Sequence, residues 1–407
     1  MRVLLIGLGS LRGHVQPMIA LADHLQTRGC EVAWWSMDPA PDVQLTKMSV
    51  DDDPRVATIR TAIRGLTAPE VRAHSLRKHA IELNRLMLRY FDDYVRLTRL
   101  VIRSFRPDVV AVDGVLSSRM VGCHLEGVPF AAIGTGLHYY APPDLDFPSF
   151  LLEEHRAAFQ RHGAWEPDFR EWYCASPYSN IVFSTEALVG ALPCPPRTHL
   201  VGHAVLLERR AEETRTLGFP LERLSTTKPI VYAAFGSIHD DISLARIIAE
   251  ATKQNGAQLV LAAGRSAAEL RDLGDDAIVV ENAPQLDVLR RARVFVTHGG
   301  ANSLMEALYM GVPLVMTPLC TDQPLNGFIV RSLGARSPGV VVDPESVTLE
   351  EMRKAIHDVL VGPYRANAES IGATYRARDG GANAARLVMD LAGTKLPPQG
   401  RTALTIE

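Results

Sequence analysis

Cysteine is scarce and unpatterned in this chain: Cys30, Cys123, Cys174, Cys194 and Cys320 make an odd five among 407 residues, with no C-x-x-C pair. Neither a disulfide framework nor a cysteine-based zinc site is therefore expected, and the compartment reads as reducing. An excess of either charge is also missing, since 43 Lys and Arg stand against 46 Asp and Glu for a formal net charge of −3. A nucleic-acid or anionic-membrane partner would need a clear basic excess or patch. Nowhere do eighteen or more apolar residues run together, so no integral membrane segment is expected. The first residues open a strand directly, without a leader pattern, which places the protein in the cytoplasm. Internal repeats and long low-complexity tracts are lacking too.

What is present is length enough for two cores and an alternation of strands with helices. Val3–Ile6 reads as a buried strand, Gly7-Leu8-Gly9-Ser10-Leu11-Arg12-Gly13 as a turn, Val15–Arg28 as an amphipathic helix ending at Gly29, and Glu31–Trp35 as the next strand. The spacing G-x-G-x-x-x-G is not the dinucleotide fingerprint. Trp34, Trp35 and Ser36 stand where a ribose-binding acid would close the second strand, which disfavours a nicotinamide enzyme. Pro17 fits the start of the helix, and His14 lies at its mouth. An imidazole there, with an ordinary pKa of about 6.5, accepts a proton from a hydroxyl when a carboxylate holds it. Asp113, at the carboxyl end of the strand Val109–Val112, projects from the same sheet edge. Each residue alone also has an ordinary reading, His14 as a helix cap or surface group and Asp113 as a turn residue.

The stretch Arg293–Gly327 carries the densest signal. A strand (Arg293–Thr297) runs into His298-Gly299-Gly300, a helix opened by Asn302 and Ser303, a Gly311-Val312-Pro313 stop, a buried strand (Leu314–Thr317) and Asp322-Gln323. Strand, glycine turn and helix start together aim backbone N–H groups and a positive dipole end at one spot, which suits a phosphate or diphosphate. Glu306, about two helical turns past His298, offers a carboxylate to a sugar diol. Asp322 and Gln323 are placed to bracket a second hydroxylated group at the sheet edge. Ser303-x-x-Glu306 fits a helix capping box as well.

From Pro284-Gln285 through His298-Gly-Gly-Ala-Asn302-Ser303, Glu306, Gly311-Val-Pro313 and Asp322-Gln323, the sequence resembles the donor signature of family 1, the UDP-glycosyltransferase group of GT-B enzymes, of the bacterial natural-product type. The resemblance implies His298, Gly300, Asn302 and Ser303 at the diphosphate, Glu306 at the ribose, Asp322 and Gln323 at the transferred sugar, and Ala283 and Gln285 beside the nucleobase. It implies Ser237, after the strand Ile230–Phe235, over the phosphates. At Asn282 the chain departs from plant members, which carry a tryptophan stacking on uracil. The catalytic pair of the family falls on His14 as base and Asp113 as its orienting acid.

The expected fold is therefore α/β and GT-B: two Rossmann-like domains with mostly parallel sheets facing across a cleft. Residues 1–205 form the acceptor domain, 206–228 a linker and 229–381 the donor domain, with a C-terminal helix at about 382–395 packing back on the first. Acceptor contacts are expected from Met87, on one or two helices over Pro69–Phe105, and from His138, Tyr139 and Tyr140 after the strand Phe130–Ile133. Pro142–Pro167 reads as a loop with a short helix. The expected reaction moves a hexose with inversion, glucose from UDP-glucose first, to a hydroxyl of a hydrophobic small molecule, with no metal or other cofactor. The run Asp51-Asp52-Asp53 reads as a solvated loop. Alternatives are a dTDP-deoxysugar donor in antibiotic biosynthesis, a non-catalytic nucleotide-sugar-binding protein, and an NAD-dependent oxidoreductase.

Overall fold

The structure, a computed structural model, describes residues 1–9, 11–39, 41, 44–67, 76–140, 149–165, 175–205, 218–235, 241–274, 276–319 and 322–394. The chain forms two compact units: Met1–Phe183 with Pro193–Val201 and Gly380–Glu407, and Ser184–Leu192 with Gly202–Asp379.

The first unit is built on seven strands in the order β3-β2-β1-β4-β5-β6-β7, every pair parallel. They are β1 (Arg2–Ile6), β2 (Glu31–Trp35), β3 (Thr46–Lys47), β4 (Val109–Asp113), β5 (Phe130–Gly134), β6 (Ser179–Val182) and β7 (Thr198–Leu200). The central three are apolar almost without interruption and fully buried, as helices on both faces of a parallel sheet require. Each buried Val, Leu or Ile there contributes roughly 1.5–3 kcal/mol of transfer free energy. Parallel β1 has β2 on one side and β4 on the other, so the connections after β1 and β4 part company at their carboxyl ends and leave a crevice between them.

The helix after β1 begins three residues earlier than expected, at Arg12, and runs to Thr27. His14 is thus in its first turn, and Pro17 is inside the helix rather than at its start, where its missing N–H would have reached the carbonyl of Gly13. The absence of an acid closing β2 is also modified by the structure: Asp38, just past it, accepts the N–H of Gly9 at 3.0 Å. Helices Leu76–Arg89 and Phe91–Phe105 cover the expected helical stretch, and a fourteen-residue helix, Pro54–Thr67, precedes them. Asp53 is bound by the Arg96 guanidinium at 2.6 and 2.8 Å, which holds its carboxyl below the usual range, and Asp51 pairs with Arg60. The acidic run is therefore tied to two arginines at the protein surface. Helix Ser149–Arg161 is the one expected within Pro142–Pro167.

The C-terminal helix spans Gly380–Asp390 and packs on Arg12–Thr27, so closely that a Cβ on Gly381 would lie 2.5 Å from the His24 ring. The segment Ser184–Leu192, expected in the first domain, groups with the second unit. There Ser184 and Thr185 bond to Tyr375 and Thr374 at 3.1 and 2.9 Å.

The second unit has six parallel strands in the order β10-β9-β8-β11-β12-β13: β8 (Ile230–Ala234), β9 (Gln258–Ala262), β10 (Ile278–Val280), β11 (Ala292–Thr297), β12 (Leu314–Met316) and β13 (Gly339–Val341). Here β8 takes the central position, flanked by β9 and β11, and a second crevice opens where β8 and β11 end. Of the expected linker, residues 206–217 lie outside the described residues. The remainder is part of the second unit, since the Gln258 side chain bonds to Ser225 N and Arg223 O at 2.6 and 2.9 Å.

The turn after β1 has no room for a side chain at Gly9, where a Cβ would stand 2.1 Å from the Pro39 carbonyl oxygen. Gly9→Ala should destabilise the protein by about 1–3 kcal/mol, the usual cost of overpacking. A urea unfolding midpoint equal to that of the unaltered chain would show that the turn yields freely.

Candidate active site

At the first crevice the topology joins two residues 99 positions apart: His14 Nδ1 and Asp113 Oδ2 are 2.8 Å apart. The Asp113 side chain is fully buried and that of His14 is 26% exposed, so the acid is shielded while the imidazole reaches the surface of the crevice. Asp113 Oδ1 accepts the N–H of Val115 at 3.3 Å and the hydroxyl of Thr135 at 3.4 Å. A buried carboxylate needs such donors, because an uncompensated one costs several kcal/mol. Thr135 Oγ1 also lies 2.9 Å from His14 Nδ1. The arrangement closes when Nδ1–H is shared between Asp113 and Thr135 while the threonine hydroxyl points at Asp113, which puts the basic lone pair on Nε2.

Thr135, between β5 and the expected acceptor residues His138–Tyr140, was missed as a member of this triad. Its sequence signal is faint: a hydroxyl residue just past the end of β5, the strand beside β4. Arg119 was missed as well. It is 4% exposed, on the helix Ser117–Leu125 that follows Asp113, with its guanidinium 3.4 Å over the Tyr94 ring. Burial pulls its pKa down, opposed by Tyr94, Asp38 and Asp113, so a buried cation belongs to the same charge cluster.

Of the expected acceptor residues, His138 and Tyr139 lie against Gly114, where a Cβ would meet Tyr139 Oη at 2.8 Å and His138 Nε2 at 2.9 Å. Their rings touch, centroids 4.3 Å apart. Tyr139 and Tyr140 are buried and His138 is half-buried, so the short helix His138–Tyr140 roofs the residue next to Asp113 more with packed rings than with an open aromatic surface. Met87, half-buried on Leu76–Arg89, is not joined to this cluster by any hydrogen bond or ring contact among the described residues.

At the second crevice β11 ends in His298-Gly299-Gly300 and the helix Ala301–Tyr309 begins at once. Gly299 has φ +82°, and a Cβ on it would lie 2.4 Å from the Met316 methyl, so only glycine makes this turn. Its N–H donates to Thr297 Oγ1 at 3.2 Å. Gly300 caps the helix without a side-chain bond and the first turn holds no acid, so the positive helix end is met from outside the helix, by Asp322. The His298 ring lies over Gly300. Burial pushes its pKa down, against the opposing effects of Asp322 and of a hydrogen bond to the Ala234 carbonyl, and it stands neutral near pH 7.

The capping-box reading of Ser303 and Glu306 does not hold, because the helix starts at Gly300 and Ser303 is already inside it. Glu306 is instead 6% exposed and accepts the Gln285 amide at 2.6 Å. Gln285 opens the helix Gln285–Leu289, just after half-buried Ala283. Asp322 Oδ2 accepts Ala301 N at 3.3 Å and Asn326 Nδ2 at 3.0 Å. Gln323 is 4% exposed, its Oε1 accepting Leu319 N at 2.9 Å. Ser237 lies outside the described residues.

The family described as UDP-glucoronosyl and UDP-glucosyl transferase matches residues 219–378, which contain the whole of this second site. The glycosyltransferase GtfE of Amycolatopsis orientalis is 27% identical, with 98% of this chain and 99% of the relative covered. The vancomycin aglycone glucosyltransferase of the same organism is 26% identical over the same shares. The likeness throughout is to family 1, the UDP-glycosyltransferase group. The fold of this chain is GT-B: the solved structure of the kitacinnamycin glycotransferase superimposes with a TM-score of 0.71 at 23% identity, covering 96% of this chain and 99% of that one. These relatives and this neighbour are glycosyltransferases of the antibiotic and natural-product kind. No helix among the described residues is long and apolar enough to cross a membrane. Among the described residues, no three His, Cys, Asp or Glu side chains converge as a metal-ligand set.

One consequence of the chain's buried histidines is pH sensitivity. His155, 4% exposed, bonds to Ser117 at 3.4 Å beside the dyad's helix, and burial pushes its pKa down to about 4. The unfolded chain takes up this proton first as pH falls, so stability is complete above the ordinary value of about 6.5 and is lost on descent toward 4. His124 and His298 are shifted the same way, each first by burial. Urea unfolding should show up to about 3 kcal/mol lost over this window through His155, and His155→Gln should flatten that slope.

Proposed function

We propose that the protein is a metal-independent, inverting O-glycosyltransferase that moves a hexose, glucose from UDP-glucose in the leading case, to a hydroxyl of an apolar small-molecule aglycone in the cytoplasm. The first unit takes the acceptor and the second the nucleotide sugar. The observation that carries the catalytic part is the 2.8 Å contact of exposed His14 with buried Asp113. The acceptor oxygen attacks the anomeric carbon opposite the diphosphate, its proton passes to His14 Nε2, and the bond from that carbon to the diphosphate oxygen breaks. Asp113 stabilises the imidazolium formed, and the leaving charge is met by the helix start at Asn302–Ser303. Neutral His298, over Gly300, and Ser237 are assigned to the same diphosphate. No step in this scheme calls on a metal.

Glu306, oriented by Gln285, supports a ribose with both hydroxyls, and Asp322 with Gln323 supports a fully hydroxylated sugar. The name of the vancomycin aglycone glucosyltransferase, a relative along nearly the whole chain, supports glucose and an aglycone acceptor. A dTDP-deoxysugar is the second reading, favoured by Asn282 where a uracil-stacking tryptophan would be expected. A non-catalytic binding protein would have no use for the dyad.

His14→Ala should lower turnover of UDP-glucose with an aglycone panel by about a thousandfold while the Kd for UDP stays unchanged. Mass spectrometry of sugar adducts reads this directly, and adduct formation at the unaltered rate would sink the base assignment. Glu306→Ala should weaken UDP binding by about tenfold or more and TDP binding much less, because a 2′-hydroxyl is lost as a partner only in the first case. Equal losses in calorimetric titrations would remove the ribose assignment.

A further inference from the structure

One polar side chain in the second unit is wholly buried and belongs to no role assigned so far. Asn326, in the second turn of the helix Gln323–Ser332, is 0% exposed. Its Nδ2 donates to the Gly299 carbonyl oxygen at 2.8 Å and to Asp322 Oδ2 at 3.0 Å. Two oxygen acceptors settle which end of the amide is nitrogen, since a flipped amide would set oxygen against oxygen at both contacts. The other end, Oδ1, is buried with no hydrogen-bond partner among the described residues. A buried polar atom left unmet costs free energy, so an aliphatic residue of similar size would serve better if filling space were the only task.

The two acceptors are the informative part. Gly299 is the residue of the phosphate turn that only glycine can occupy. In a planar trans peptide, C=O and the following N–H point in opposite directions. Holding the Gly299 carbonyl toward Asn326 therefore aims the Gly300 N–H the other way, at the side from which the helix start is approached. Asp322 is the acid assigned to the transferred sugar, and its Oδ2 meets the first N–H of that same helix at 3.3 Å. The Asn326 backbone N–H also bonds to the Asp322 carbonyl at 2.9 Å. One amide group thus spans the loop that grips phosphate and the carboxylate that reads sugar.

We infer that Asn326 is a positioning residue that locks the Gly299 turn and the Asp322 carboxylate into one rigid body, so that diphosphate grip and sugar recognition are set together. The inference rests on the donor-site reading above. It touches neither the sugar nor the phosphates in this role and acts only through the groups it holds. Substrate specificity then depends on a residue that sequence inspection of the sugar-contacting pair Asp322-Gln323 would leave out.

Asn326→Ala removes both donated bonds, and Asn326→Asp keeps the shape while turning the donor into an acceptor beside Asp322. Calorimetric titration with UDP and initial rates against UDP-glucose, run below the unfolding temperature of every variant, test the proposal. Both variants should bind UDP about tenfold more weakly and show a donor KM raised about tenfold, with kcat within about twofold of the unaltered enzyme. Should Asn326→Ala fail to fold, Asn326→Asp decides alone. A lowered unfolding temperature with UDP affinity and donor KM unchanged would overturn the proposal and leave Asn326 a packing residue. If the unaltered protein binds neither UDP nor TDP, the donor-site reading falls and this inference with it, an outcome distinct from the variant result.

Discussion

In a parallel sheet every strand delivers its carboxyl end to the same edge, and where the winding reverses beside the central strand, two connections must diverge and leave an opening. Everything functional in this protein depends on that constraint, applied once in each unit. In the first, β1 and β4 end side by side, with Ile6 level with Val112, and the residues just beyond are the glycine turn with His14 and the buried Asp113. In the second, β8 and β11 end together, Ala234 level with Thr297, and the glycine turn His298–Gly300 follows. Neither crevice is made by loops choosing to meet; each follows from the strand order.

The charges around these openings are managed by different means. Asp113 is kept fully buried by three donors from three elements, His14, Val115 N–H and Thr135, with the Arg119 cation in the same cluster. Glu306 is held by an uncharged amide, Gln285, whose own Oε1 is 3.5 Å from the Tyr232 hydroxyl. His298 is left neutral by burial. The helix end at Ala301 is met by Asp322. Acidic groups are therefore pre-oriented by fixed dipoles in both units, which spares the reorganisation that a flexible or fully solvated group would need when substrate arrives.

Local pattern misled wherever a residue's partner comes from elsewhere in the chain. Proline suggested a helix start at Val15, yet the helix forms from Arg12 because its packing on β2 and on Gly380–Asp390 outweighs one missing N–H. Ser303 and Glu306 have capping-box spacing, but the glycine turn starts the helix sooner and the acid is drawn inward to Gln285. The aromatic run at His138 was expected to line an acceptor site, and two of its three rings, Tyr139 and Tyr140, are instead buried, Tyr139 against the residue next to Asp113.

By itself the amino-acid sequence determined the parallel α/β architecture, the phosphate turn and the candidate pair His14 and Asp113. Those are properties of periodicity and of residues adjacent along the chain: apolar runs of strand length, glycine where φ must be positive, an acid at a strand end. Only the tertiary structure decided that Thr135 completes the dyad, that Arg119 is buried against the Tyr94 ring, that Gln285 orients Glu306, and that Asn326 ties Gly299 to Asp322. Each of these depends on a distance of a few ångströms between separate elements, and strand order and register, not neighbouring residues, set such distances.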